Sequence, residues 1–133
     1  MRYEASVLIL CLALPLSTSS ASAHHSFAAE YDTDKPVQIA GTVTKVEWTN
    51  PHVHFYVDVK NNKGEVVNWN IELGPPLILR HLGWRQDSLK TGDQVTVEGY
   101  LAKDQSSLAN AKKVTLADGR SVFAGSSAEK RGD

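Results

Sequence analysis

Trp48-Thr49-Asn50-Pro51-His52-Val53-His54-Phe55-Tyr56-Val57-Asp58-Val59 is the stretch from which the architecture can be worked out. From Val53 onward the side chains alternate. Val53, Phe55, Val57 and Val59 share one parity, and His52, His54, Tyr56 and Asp58 share the other. Period-two alternation of β-branched and aromatic residues predicts a strand with one buried face. Asn50-Pro51 interrupts whatever precedes it, because proline restricts the residue before it and supplies no N–H to a ladder. The polar face is chemically loaded, with two imidazoles, a phenol and a carboxylate.

The next turn fixes the partner strand. Asn61-Asn62-Lys63-Gly64 is turn chemistry, and a glycine ending a three-residue loop takes the left-handed conformation such hairpins need. Asn61 then lies opposite Glu65, which sets Asp58 against Asn68, Tyr56 against Asn70 and His54 against Glu72. A His54–Glu72 cross-strand pair would orient the imidazole. Val67, Trp69, Ile71 and Leu73 form the buried parity of this strand.

Upstream, Val37, Ile39, Gly41 and Val43 alternate, but Val46 and Trp48 fall on the opposite parity. One long strand with a bulge at Thr44-Lys45 reconciles the halves and bends the chain. Downstream, Gly74-Pro75-Pro76 ends the third strand, and Pro76 suits the first turn of a helix over Leu77 to Leu82, closed by Gly83. A turn at Leu89 to Asp93 precedes the alternating Val95, Val97, Gly99 and Leu101. Ala109, Ala111, Val114 and Leu116 make a further strand with a second slip in parity, and Asp118-Gly119 turns the chain into Ser121-Val122-Phe123. The expected fold is all-β with small helical content: an OB-like five-stranded Greek-key barrel with one short helix between strands three and four. A β-sandwich is the competitor, and the helix in mid-chain argues against it.

The chain of 133 residues carries one domain. Arg2, the apolar run Ala5 to Leu16 and the small residues Ala21-Ser22-Ala23 predict a secretory signal peptide over 1–23. The run is shorter than the roughly 20 residues that span a bilayer, so no membrane anchor is expected after processing. Cys11 follows Leu10 rather than a small residue, which excludes a lipoprotein site, and the mature chain has no cysteine. The remaining boundaries are an extended arm over 24–35, the barrel over 36–125 and a disordered tail over 126–133. The destination is the periplasm or the exterior. A formal charge of −1 supplies no basic field, which argues against nucleic acid as partner.

The segments His24-His25-Ser26-Phe27, Gly41-Thr42-Val43, Trp48-Thr49-Asn50-Pro51-His52 and Gly92-Asp93-Gln94-Val95-Thr96-Val97-Glu98-Gly99-Tyr100 together resemble an exported bacterial family known only as a domain of unknown function, DUF6152. The likeness spans about residues 24–127, including Leu73-Gly74 and Gly83-Trp84. It implies a small secreted or periplasmic β domain and implies no activity. The position of His54 is often aromatic in that family, so the resemblance supports His52 more than His54.

The candidate ligand face is Trp48, Tyr56, Asn70 and Glu72 beside His52 and His54, directed at an unknown small ligand or protein partner. Trp69 and Trp84 belong to core positions, and His81 in the short helix is structural or incidental. His52 and His54 share a parity roughly 6.5–7 Å apart, within reach of one metal ion. Cleavage after Ala23 leaves His24 as the terminal residue, whose amine and ring chelate together with His25. Cleavage after Ala21 leaves Ser22-Ala23-His24, a planar nitrogen site. Either terminus suits copper, giving His24, His25, His52 and His54 as candidate metal ligands. A structural or partner-binding domain without metal stays open, as do an oligosaccharide- or nucleic-acid-binding barrel and a metal-dependent enzyme with Glu72 as base. No nucleophile motif, phosphate loop or carboxylate pair singles out a catalytic residue. Intact mass of the exported chain checks the leader: the expected species lacks residues 1–23, or 1–21, and a chain still carrying Met1 would overturn the reading.

Overall fold

The computed structural model describes residues 27–126. Residues 27–30 make a helical turn that runs straight into β1 (Tyr31–Glu47). Then come β2 (His54–Lys60), β3 (Val66–Glu72), α1 (Pro76–His81), β4 (Gln94–Ala102), β5 (Leu108–Thr115) and β6 (Ser121–Phe123). Strand β1 pairs antiparallel with β4 along its first part, up to Thr42, and with β2 along its last, from Thr42. The sheet closes because Asn70, Ile71 and Glu72 of β3 run parallel to Leu108, Ala109 and Asn110 of β5. The circuit β1-β2-β3-β5-β4 is the expected five-stranded barrel, and β6 adds a short flap to β5.

Both parity slips are bulges. The register of β1 on β2 shifts between Val43 and Lys45, which turns Val46 and Trp48 back onto the core. On β5 the shift falls where Glu98 and Gly99 face Lys113 and Ala111, so Lys112 is the extra residue and Val114 returns inward. The hairpin register agrees with the turn chemistry: Asp58, Tyr56 and His54 face Asn68, Asn70 and Glu72, and Gly64 has φ +78°. Phe55, Val57, Ile71, Leu79, Val97, Ala109, Ala111 and Val114 fill the barrel with almost no exposure. Leu79 of α1 plugs one end, and the Trp84 indole N–H donates to the Phe123 carbonyl at 2.8 Å.

The ends depart from expectation. The extended arm predicted over 24–35 is, from residue 27, the helical turn and the first residues of β1. Phe27 and Tyr31 bury their rings, centroids 5.4 Å apart, in a small second cluster with Ala102 on the outside of the barrel. Polar Asp32 to Lys35 hid this strand: the register against β4 jumps between Tyr31 and Pro36, leaving most of the intervening side chains exposed without alternation. Ser126, placed in the expected tail, also departs from expectation. Ser126 is buried, and its hydroxyl donates to the Asn110 side-chain carbonyl at 2.6 Å. Residues 1–26 and 127–133, including the predicted leader, His24 and His25, lie outside the described residues.

Gly99 shows how tightly β4 and β5 close. A Cβ there would sit 2.1 Å from the Asn110 carbonyl oxygen, against backbone that has no rotamer to yield. Gly99→Ala is expected to lower unfolding free energy by roughly 1–3 kcal/mol or more. Urea denaturation measures it, and an unchanged midpoint would show that the two backbones are not in such contact.

Candidate functional site

Side chains on the outer face of β2 and β3 pair in a slanted row. The Asp58 carboxylate accepts from the Asn68 amide straight across the hairpin at 2.7 Å. Nearer the barrel rim the pairing shifts diagonally by one step. His54 Nδ1 lies 2.8 Å from Asn70 Oδ1, and His52 Nδ1 lies 3.2 Å from Glu72 Oε1. The expected His54–Glu72 pair is thus correct as a backbone register and wrong as a side-chain contact, since diagonal neighbours are also within reach of long side chains. The shift frees Tyr56, whose hydroxyl donates to Glu47 of β1 at 3.2 Å. Lys45 bonds the same carboxylate and holds it below the usual carboxylate range.

Glu72 has the outward parity of β3 but is only 8% exposed. The first turn of the described chain covers it. The Tyr31 hydroxyl donates to Oε2 at 2.5 Å, while Oε1 accepts from Asn110 Nδ2 at 3.3 Å and from His52. Every partner is a donor, which is what a buried carboxylate requires. Burial first, then its bond to Glu72, pushes the Tyr31 phenol far above the ordinary tyrosine range. Glu30 lies in the same field. Burial and the Glu72 charge push its carboxyl up, while His54 and His52 pull it down.

These contacts decide what each imidazole offers. A side-chain carbonyl or a carboxylate only accepts, so Nδ1 of both rings is the N–H donor. A neutral ring then carries its lone pair on Nε2, the nitrogen with which an imidazole so anchored can ligate an ion. Glu72 is no longer a candidate base, because both of its oxygens are occupied and covered. Trp48 leaves the candidate ligand face: it is half-buried against the main core, its indole nitrogen enclosed without a partner. Tyr56 and Asn70 remain half-exposed on the face with His52 and His54. Trp69 packs on the core, and His81 is exposed on α1. Sequence reasoning missed Tyr31, Asn110 and Ser126. Asn110, with its outward parity between Ala109 and Ala111, offered the only local signal. Among the described residues, no three His, Cys, Asp or Glu side chains converge closely enough to hold a metal ion by themselves.

Strand order and closure define the class: a small OB-type barrel with a polar, imidazole-bearing outer face and an N-terminal segment folded against it. The chain belongs to a family of unknown function, DUF6152, whose model matches residues 12–111. Among solved structures it is similar to a mitochondrial single-stranded DNA binding protein from S. cerevisiae. The two share 15% identity over 62% of this chain and 93% of that one, with a TM-score of 0.49. No curated protein matches it.

The Tyr31–Glu72 contact makes a pH prediction. A phenol with a raised folded pKa stays protonated while the unfolded chain ionises. Its contribution to stability is therefore full below pH ~10 and is lost as pH rises beyond it. Tyr31→Phe is expected to cost roughly 1–3 kcal/mol at neutral pH, by leaving a buried carboxylate short of a donor. It should also flatten the alkaline decline. Stability measured by denaturant from pH 7 to 11 tests both, and a variant as stable as wild type with the same alkaline slope would refute the contact.

Proposed function

We infer that this protein is an exported binding module that holds a Cu(II) ion between its N-terminal histidines and the imidazole face of the barrel. The observation that carries the reading is the shared orientation of His52 and His54. Each ring is anchored through Nδ1 to an oxygen of β3, leaving both Nε2 atoms as donors on one face. Acceptors on the far nitrogen are the usual means of fixing and strengthening a histidine ligand. Two imidazoles make an incomplete site, and the described residues supply no third donor with them.

Chain geometry supports the N-terminal histidines as the source of the missing donors. Phe27 is fixed in the cluster with Tyr31, and Tyr31 bonds the carboxylate that bonds His52. His25 is two residues from Phe27 and so within about 7 Å of it along the chain, whatever path it takes. The tether is far shorter than the dozen residues that an extended arm would interpose. Nitrogen-rich ligation by imidazoles and a terminal amine suits Cu(II) over other divalent ions.

The test uses mature full-length protein with its native N-terminus and any tag at the C-terminus. One Cu(II) per chain is expected, with nitrogen hyperfine structure in its electron paramagnetic resonance spectrum. His24→Ala with His25→Ala, and separately His52→Ala, should each weaken binding by about tenfold or more and alter the spectrum. Glu72→Gln should weaken it about 10–100-fold while leaving all four imidazoles in place. Copper bound with unchanged affinity and spectrum in His52→Ala would remove the barrel from the site. Unchanged binding without His24 and His25 would remove the N-terminus.

A further inference from the structure

A helix on the surface of a barrel ordinarily turns its polar side to water. Helix α1 does not. Pro76 and Leu79 face the core, and the opposite side presents Leu77, Ile78 and His81, with Leu82 at the end of the helix. Leu77 is 62%, Ile78 39% and Leu82 41% exposed. Phe123 of β6, 59% exposed, is a further exposed apolar residue whose carbonyl bonds the Trp84 indole just after the helix. Ile78 also lies against Gly125. Leu77, Ile78 and Leu82 thus give α1 an exposed apolar knob, and the backbone of Phe123 lies near its C-terminal end.

Along the segment that bears the knob, basic residues come before any acid. From Leu73 to Gln86 the charged residues are Arg80 and Arg85, joined by the ionisable His81, and the first acid is Asp87. Neither arginine has an ion pair among the described residues. Arg120, on the neighbouring hairpin, is already neutralised by Asp118 at 2.6 Å. A shallow cleft of about 380 Å³ opens beside the knob, lined by Arg80, Gly83, Trp84, Arg85 and Gln86. Unpaired guanidinium groups in an open cleft match phosphate oxygens, which they grip in bidentate fashion.

We propose that this end of the barrel docks on an anionic phospholipid surface, with Leu77, Ile78, Leu82 and Phe123 entering the acyl boundary and Arg80 and Arg85 seated on headgroup phosphates. The proposal is independent of copper binding, which uses other residues. Exposed apolar side chains beside unpaired arginines suit a deformable apolar layer under anionic headgroups. Charge complementarity selects an anionic partner over a second copy of the chain. A two-fold contact through α1 would bring Arg80 and Arg85 of both copies together. Among the described residues no helix is long and apolar enough to cross a membrane.

The experiment is co-sedimentation of the mature chain with vesicles of phosphatidylcholine alone or mixed with phosphatidylglycerol, at low and high salt. Binding is expected only to the mixed vesicles and should fall as salt rises. Arg80→Gln with Arg85→Gln should weaken it about 30-fold. Leu77→Ser with Leu82→Ser should weaken it at least about tenfold. Both variants alter exposed side chains and should keep the wild-type melting temperature, which is measured in parallel. No binding to either vesicle, equal binding to both, or binding untouched by both variants would overturn the proposal. Self-association in sedimentation velocity, abolished by Leu77→Ser with Leu82→Ser, would overturn it in favour of a second copy.

Discussion

The carboxylate of Glu72 is the point at which the separate parts of this chain meet. A carboxylate withdrawn from water costs several kcal/mol unless its oxygens find donors. Here the donors come from the start of β1, from two residues before β2 and from β5, through Tyr31, His52 and Asn110. Asn110 in turn accepts from Ser126, so the last described residue is tied to the same centre. Satisfying one acid therefore holds both ends of the domain against the seam where β3 meets β5.

That arrangement gives the domain a second small core outside its barrel. Phe27, Tyr31 and Ala102 pack there, and the backbone N–H of Lys103 donates to the Glu30 carbonyl at 2.8 Å. The Lys103 ammonium bonds the Ala28 carbonyl in the same turn. These contacts hold the N-terminal segment beside His52 and His54 instead of leaving it free. In the sequence His25 stands two residues before Phe27, and the proposed copper site relies on that short covalent tether. The functional reading depends more on this tether than on the barrel itself.

The barrel contributes rigidity and direction. Two bulges and two glycines allow short strands to bend into closure: Gly41 and Gly99 each lie where a Cβ would strike the neighbouring strand's carbonyl. Once closed, the sheet sets β2 and β3 side by side with their polar residues outward, and places α1 at one end. The imidazole face and the apolar knob are products of the same circuit, one from the alternation of β2 and the other from the short connection between β3 and β4.

Much of this was legible in the sequence because it is local. Alternation and turn chemistry act within a few residues, so the paired register of His54 to Asp58 with Asn68 to Glu72 follows from Gly64. Both bulges follow from breaks in parity, at Val46 and at Val114. The barrel, its helix and the outward placement of His52 and His54 belong to the same category. The partner of Glu72 does not. Register places His54 opposite it, but the reach of diagonal side chains and the donor needs of a buried acid select His52. That acid is buried only because Tyr31, 41 residues earlier, folds over it. Asp32 to Lys35 show no period, so nothing local reveals that they lie within β1, whose hydrogen bonds run to β4 on either side of them. The sequence alone determined which residues alternate, turn and face outward, because those choices depend on neighbours along the chain. Only the tertiary structure decided which outward residues are covered and with whom they bond, because burial is set by whatever segment arrives from elsewhere.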